Sequence, residues 1–251
     1  MYILENIYAS ALTKYLNNNG IFIEEDTKKN GDCSVETIKR HIEVLSEFHK
    51  RMIGYKALNY GVLPNSTGKL MERYKINNKK LKRQIRLCES KEIKSGFEVL
   101  LMDKGTEILA RAEHSINEAY RFGYLEALSR SMKRGEICIG NSALSNIKME
   151  SNISIGDISD LGSNILELDA VYLLRKVKKN YCLDFEALAK YFCEKENLPE
   201  SSKNLILALV SYPHYFMKCF NRYREGRKDW DDVKFTFRLQ EALVHDGKIL
   251  I

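Results

Sequence analysis

"EICIGNSALSNI", residues 136–147, is the stretch whose reading decides the fold. A short apolar run, Ile137 to Ile139, ends in Gly140-Asn141, and four residues then separate Asn141 from Asn146. An apolar run closed by glycine and asparagine reads as the entry to a loop or turn. Immediately downstream, "NIKMESNISIGDIS" (146–159) alternates with period two. It predicts two short strands joined at Ser151-Asn152, with one aspartate, Asp157, just beyond them.

On both sides of this segment the period is helical. Upstream, Lys69 to about Cys88 predicts a very basic helix carrying Lys75, Lys79, Lys80, Lys82, Arg83 and Arg86. Two further helices are expected near 91–102 and 105–132. Ser34 is placed to cap a helix that carries Ile42, Val44, Leu45, Phe48 and Met52. At the start, Ile3, Leu4, Ile7, Tyr8, Ala11, Leu12, Tyr15 and Leu16 follow helical spacing until Asn17-Asn18-Asn19-Gly20. "IFIEE" (21–25) then reads as a short strand. Downstream, helices are expected from about Leu166 and near 183–195, 199–225 and 229–246. Pro199 suits a first turn, and Pro213 should kink the helix it lies in. The expected class is mostly α (α+β), with one small β-hairpin late in the chain.

Composition narrows the functional classes. The 251 residues are 44% hydrophobic, enough for one substantial core. A formal charge of +6 permits an anionic partner without requiring one. Cysteines stand at 33, 88, 138, 182, 193 and 219 with no CxxC pair, which argues against a zinc ribbon. They read as free thiols of a reducing compartment. No apolar run approaches the roughly 18 residues of a spanning helix, and the first residues lack a leader pattern, so no membrane association is expected.

Five stretches taken in order resemble a known family. They are "VLSEFHKRMIGY" (44–55), "KLKRQIRLCESKEIKSGFEVLLM" (80–102), "CIGNSALSNI" (138–147), "ELDAVYLLRKVKKN" (167–180) and "SYPHYFMKCFNRYREGRKDW" (211–230). Together they are similar to the CotS-like spore-coat family of Bacillus and Clostridium relatives. That family is itself kinase-like and related to the aminoglycoside and choline phosphotransferases. The resemblance runs from about residue 31 to the end. It implies a protein-kinase-like C-terminal lobe over 31–251. Residues 1–30 would be the helix and hinge-like strand of a reduced N-terminal lobe.

The resemblance also assigns positions. Asn141 falls where active members carry the catalytic aspartate, and Ile139 falls on the loop histidine. Asn146 keeps the asparagine that would hold magnesium, and Asp157 matches the first aspartate of the metal-binding triplet. Ser159 replaces the acid two residues on. Asp169 matches a downstream aspartate that braces the catalytic loop. No glycine-rich loop and no strand-borne lysine can be placed. The implied function is a catalytically degenerate, truncated kinase-like protein, a pseudokinase, serving as a spore-coat component or assembly factor. It would pass from the mother-cell cytoplasm to the coat, with protein partners or self-association. No cofactor is expected. The alternative is a small-molecule phosphotransferase using ATP and magnesium with atypical residues.

Other features favour plain packing. His49 reads as a packed helix residue and Cys138 as a buried small hydrophobe. The basic segment 75–86 reads as a solvated face, so nucleic acid is not an expected partner. Tyr212, Tyr215, Phe216, Phe220 and Tyr223 read as core.

Overall fold

The computed structural model describes residues 11–24, 33–55, 62–178, 183–226 and 228–251. Within them helices dominate. Residues 11–18 form the described part of the first helix (α1), and the predicted residues 1–10 lie outside. Strand β1 is Ile21–Ile23. Helices α2 (Val35–Met52), α3 (Lys69–Glu89), α4 (Gly96–Arg121) and α5 (Tyr124–Arg134) follow. Four short strands come next: β2 (Ile137–Cys138), β3 (Ile147–Met149), β4 (Ile153–Ile155) and β5 (Gly162–Ser163). The chain closes with α6 (Glu167–Val177), α7 (Phe185–Glu196), α8 (Glu200–Ser211), α9 (His214–Arg224) and α10 (Asp232–Asp246).

Helix starts follow the capping signals in the sequence. The Ser34 hydroxyl accepts the Thr37 amide, and Asp184 and Asp231 do the same for Ala187 and Lys234. Ser95 and Glu98 form a reciprocal capping box at the start of α4. Helix α8 is the core of the bundle. Leu205 to Val210 are all buried, so this helix is covered on every side, with α4, α6 and α7 packed against it.

The expected hairpin is present as β3 and β4, antiparallel, pairing Ile147 with Ile155 and Met149 with Ile153. The sheets are richer than one hairpin, however. Strand β1 pairs in parallel with β4, giving the order β1-β4-β3. Ile153, Ser154 and Ile155 are all buried, so β4 is a central strand with both edges paired. A second pair, β2 with β5, is antiparallel. Two residues per strand are too few for a period-two pattern to register, which is why the sequence shows a single hairpin. Gly162 in β5 passes so close to Pro64 that a Cβ would lie 2.3 Å from its carbonyl oxygen.

Two helix boundaries also depart from expectation. The helices placed near 91–102 and 105–132 are α4 and α5, and the break falls at Gly123. Gly105 is not a terminator. It lies inside α4, where a Cβ would sit 3.0 Å from Ile85 of α3, so its missing side chain allows the two helices to approach. Gly123 ends the run because its φ of +87° is left-handed.

The helix expected over 199–225 is broken at Pro213, not merely kinked: α8 ends at Ser211 and α9 begins at His214. Such a break orphans the last carbonyls of α8. Three cations take them. Arg175 Nη2 donates to Leu209 at 2.8 Å, Lys178 Nζ to Val210 at 2.9 Å, and Arg111 Nε to Ser211 at 2.8 Å. Positive charge at a helix C-terminus is favourable. Asp246 caps the new start by accepting the Tyr215 and Phe216 amides. Burial, with Arg111 and Arg175 nearby, pushes Lys178 down to about 7.

Candidate functional site

The β2 strand delivers the loop 139–146, and β4 delivers Asp157 beside it. Asp169, on the first turn of α6, holds the loop from beneath. Its Oδ2 accepts the Ile139 amide and its Oδ1 the Gly140 amide, both at 2.9 Å. Its backbone carbonyl accepts the Ser142 hydroxyl at 2.6 Å. Gly140 has φ +75°, and a Cβ there would lie 2.5 Å from the Asp160 carbonyl oxygen, so only glycine fits.

Two histidines of α2 complete the support. His49 Nε2 meets Asp169 Oδ2 at 2.9 Å, and its Nδ1 meets Glu196 at 2.8 Å. Burial alone would lower the His49 pKa, but Glu196 and Asp169 overcome it and raise it to about 10. His41 Nε2 bonds the Ser142 carbonyl at 3.0 Å, and burial holds it neutral, at about 4.

These shifts set opposite pH limbs. His49 is raised, so its contribution is complete below the ordinary 6.5 and is lost as pH climbs from there towards 10. His41 is depressed, so its contribution is present above 6.5 and is lost as pH falls towards 4. Lys178, depressed to about 7, contributes in the opposite sense as pH rises from 7 towards 10.5, so it offsets the His49 limb in the wild type. The difference in urea stability between wild type and His49→Gln should therefore be largest below pH 6.5 and shrink towards pH 10; a difference that does not change with pH would show that His49 acts by packing and not by charge.

The three sequence-assigned positions do meet. Asn141 Nδ2 points to Asp157 Oδ2 at 3.4 Å. Asn146 clamps both neighbours: its Nδ2 donates to the Asn141 carbonyl at 2.8 Å and the Asp157 carbonyl at 2.9 Å. Its Oδ1 accepts the Asp157 amide at 2.7 Å. Asp157 Oδ1 accepts the Ser159 amide at 2.9 Å, and that bond holds the exposed carboxyl below its ordinary range.

This donor set fits magnesium poorly. It offers one carboxylate and one amide oxygen, all three oxygens already engaged within the loop, whereas magnesium sites use one or two carboxylates plus substrate phosphates. Among the described residues no group of three or more His, Cys, Asp or Glu side chains is arranged to hold a metal ion. What the arrangement does is lock the loop to the hairpin.

Cys138 is buried, its thiol donating to the Ile165 carbonyl at 3.1 Å and pushed well above its usual range by burial. Cys88, Cys138, Cys193 and Cys219 are free thiols. The basic face of α3 is solvated at Lys79, Lys82, Arg83 and Arg86. Tyr212 is core, stacked on Tyr74 at 3.5 Å.

Sequence reasoning missed how His49 is used, yet a signal existed. It lies on the apolar stripe Ile38, Ile42, Leu45, Met52, and a histidine on such a stripe must find buried partners. A second feature beside the loop was not legible. A cavity of about 310 Å³ opens against Gly140 to Ala143 and is lined by α3, α6 and α9.

No protein-family profile matches the chain, and no curated protein matches it. A solved structure does. The crystal structure of an aminoglycoside phosphotransferase from Alicyclobacillus acidocaldarius matches with a TM-score of 0.68. The match has 14% identity and covers 91% of this chain and 68% of that one. At that identity the likeness is one of fold: a kinase-like phosphotransferase fold. Among the described residues no helix is long and apolar enough to cross a membrane.

Proposed function

We propose that this chain is a catalytically degenerate kinase-like protein, a pseudokinase. It acts by binding rather than by turnover, as a spore-coat component or coat-assembly factor. One observation carries the degenerate part. Position 141, where an active loop presents an aspartate to the substrate hydroxyl, holds an amide that turns its N–H towards Asp157. An amide cannot take a proton, and losing a general base costs about 10²- to 10⁴-fold. Asn146 supports the same reading, because its amide binds backbone and leaves the metal position weak.

The coat role is supported by the five ordered sequence motifs. A partner or second copy would find apolar surface on the small sheet, where Phe22, Ile23 and Met149 are exposed.

The test is labelled-phosphate transfer from magnesium–ATP to protein and small-molecule acceptors, alongside thermal shift. The expected rate is at least about a hundredfold below the 1–100 per second of ordinary kinases. Transfer at an ordinary rate would overturn the proposal. It would favour the alternative, a small-molecule phosphotransferase with atypical residues, to which the shared fold lends support. ATP and magnesium belong to that alternative only. There, Asp157→Ala should abolish a magnesium–ATP thermal shift.

A further inference from the structure

The cavity beside the loop is unusual in its charge. Lys69 and Arg73 of α3, Arg175 and Lys176 of α6 and Lys218 of α9 all line it. Asp160 is the one carboxylate among its lining residues. None of the five cations makes an ion pair with a carboxylate among the described residues. A second groove of about 750 Å³ shares Arg73 and Lys218 and continues the positive lining with Arg222 and Lys228. Lys80 on that groove is already matched by Glu225 at 3.3 Å.

Arg175 is the informative member. It is 5% exposed, and only its Nη2 is used, on the Leu209 carbonyl. Its Nε and Nη1 are buried without a hydrogen-bond partner. The Tyr74 and Tyr172 rings lie 5.5 and 6.0 Å from the guanidinium and offset part of its desolvation. They supply no counter-charge; the buried Asp246 acts on Arg175 through space but is itself bonded to the Tyr215 and Phe216 amides, so part of the cost of burying the cation remains. The field is felt next door: burial pushes His214 down to about 3, and Arg175, Lys218, Arg73 and Lys176 all push the same way.

We propose that this cavity binds a small polyanion, a molecule carrying phosphate or carboxylate groups. Its charge is met by the buried Arg175 together with Lys69, Arg73, Lys176 and Lys218. The cavity shares Asn141 with the Asn141–Asp157 clamp, but anion binding there does not depend on whether that loop transfers phosphate.

The experiment is calorimetric titration of the full chain with inorganic pyrophosphate and, separately, citrate at low ionic strength. Saturable one-site binding of at least one probe is expected. Lys69→Glu/Lys218→Glu, two exposed positions, should weaken it by about tenfold or more. Lys82→Glu/Arg86→Glu changes the same charge on the solvated face of α3 and should leave it unaltered. Pyrophosphate alone would assign phosphate, citrate alone carboxylate, and both would assign charge without geometry. Absence of saturable binding with either probe would overturn the proposal. Equal weakening in the two double variants would also overturn it, since it would show attraction to net charge and not to this cavity.

Discussion

Replacing Asp169 with alanine is expected to cost about 3–5 kcal/mol, the usual consequence of removing one partner from a buried charged network. The side chain is fully buried, and three donors converge on it: the Ile139 and Gly140 amides and His49 Nε2. The alanine variant strands two amides and leaves a protonated histidine held by Glu196 alone. Small domains are stable by about 5–15 kcal/mol, so roughly a fifth or more of the total would be gone. Urea titration should show a lower midpoint with an unchanged slope. Asp169→Asn keeps an acceptor but not the charge, and should fall between the two. A loss under about 1 kcal/mol for alanine would mean that the loop is held by something other than this carboxylate.

The second large effect is expected at Arg130. Its guanidinium is forked between two buried carboxylates. Nε meets Glu136 at 2.9 Å, and Nη1 and Nη2 meet Glu167 at 2.9 and 2.6 Å. The Ser202 hydroxyl adds a bond to Glu167 at 2.6 Å. Arg130→Met leaves Glu167 inside without a cation and Glu136 with only Arg134, at 4.0 Å, again at about 3–5 kcal/mol. The informative variant is the triple, Arg130→Met with Glu136→Gln and Glu167→Gln. Removing the stranded charges should recover most of the loss, because the cost lies in the uncompensated acids. If the triple variant is no more stable than Arg130→Met, packing of the arginine stem explains the effect instead.

Both predictions concern α6 or its partners, and α6 marks where local residue patterns stop being legible, although the family resemblance did place Asp169 as a brace of the loop. Its residues "ELDAVYLLRKV" place Glu167, Asp169 and Arg175 among apolar positions, and the ordinary expectation sends such charges to solvent. All three are buried. Each answers a need created by a distant segment: the Arg130 guanidinium, the amides of the 139–140 turn, and the open end of α8. A local pattern cannot show such a need, because the unpaired groups arise only once other elements have packed.

The helices whose faces differ were legible, as were their caps. Ser34, Ser95, Asp184 and Asp231 act on amides within three residues, so neighbours along the chain decide them. The β3–β4 hairpin was legible for the same reason. The strands β2 and β5 were not, being held by pairing across more than twenty residues. The break at Pro213 was visible as a perturbation, but its depth depended on Arg111, Arg175 and Lys178 arriving to take the freed carbonyls.

By itself the sequence determined residue chemistry: an amide and not a carboxylate at 141, and the local periods that make helices and one hairpin. Tertiary structure alone decided that Asn141, Asn146 and Asp157 clamp one another, that two histidines of α2 brace the loop, and that five cations from three helices line one cavity. The physical reason is range. Backbone propensity and capping act over a few residues, whereas hydrogen bonding and charge pairing between buried groups depend on distances that only the packed chain sets.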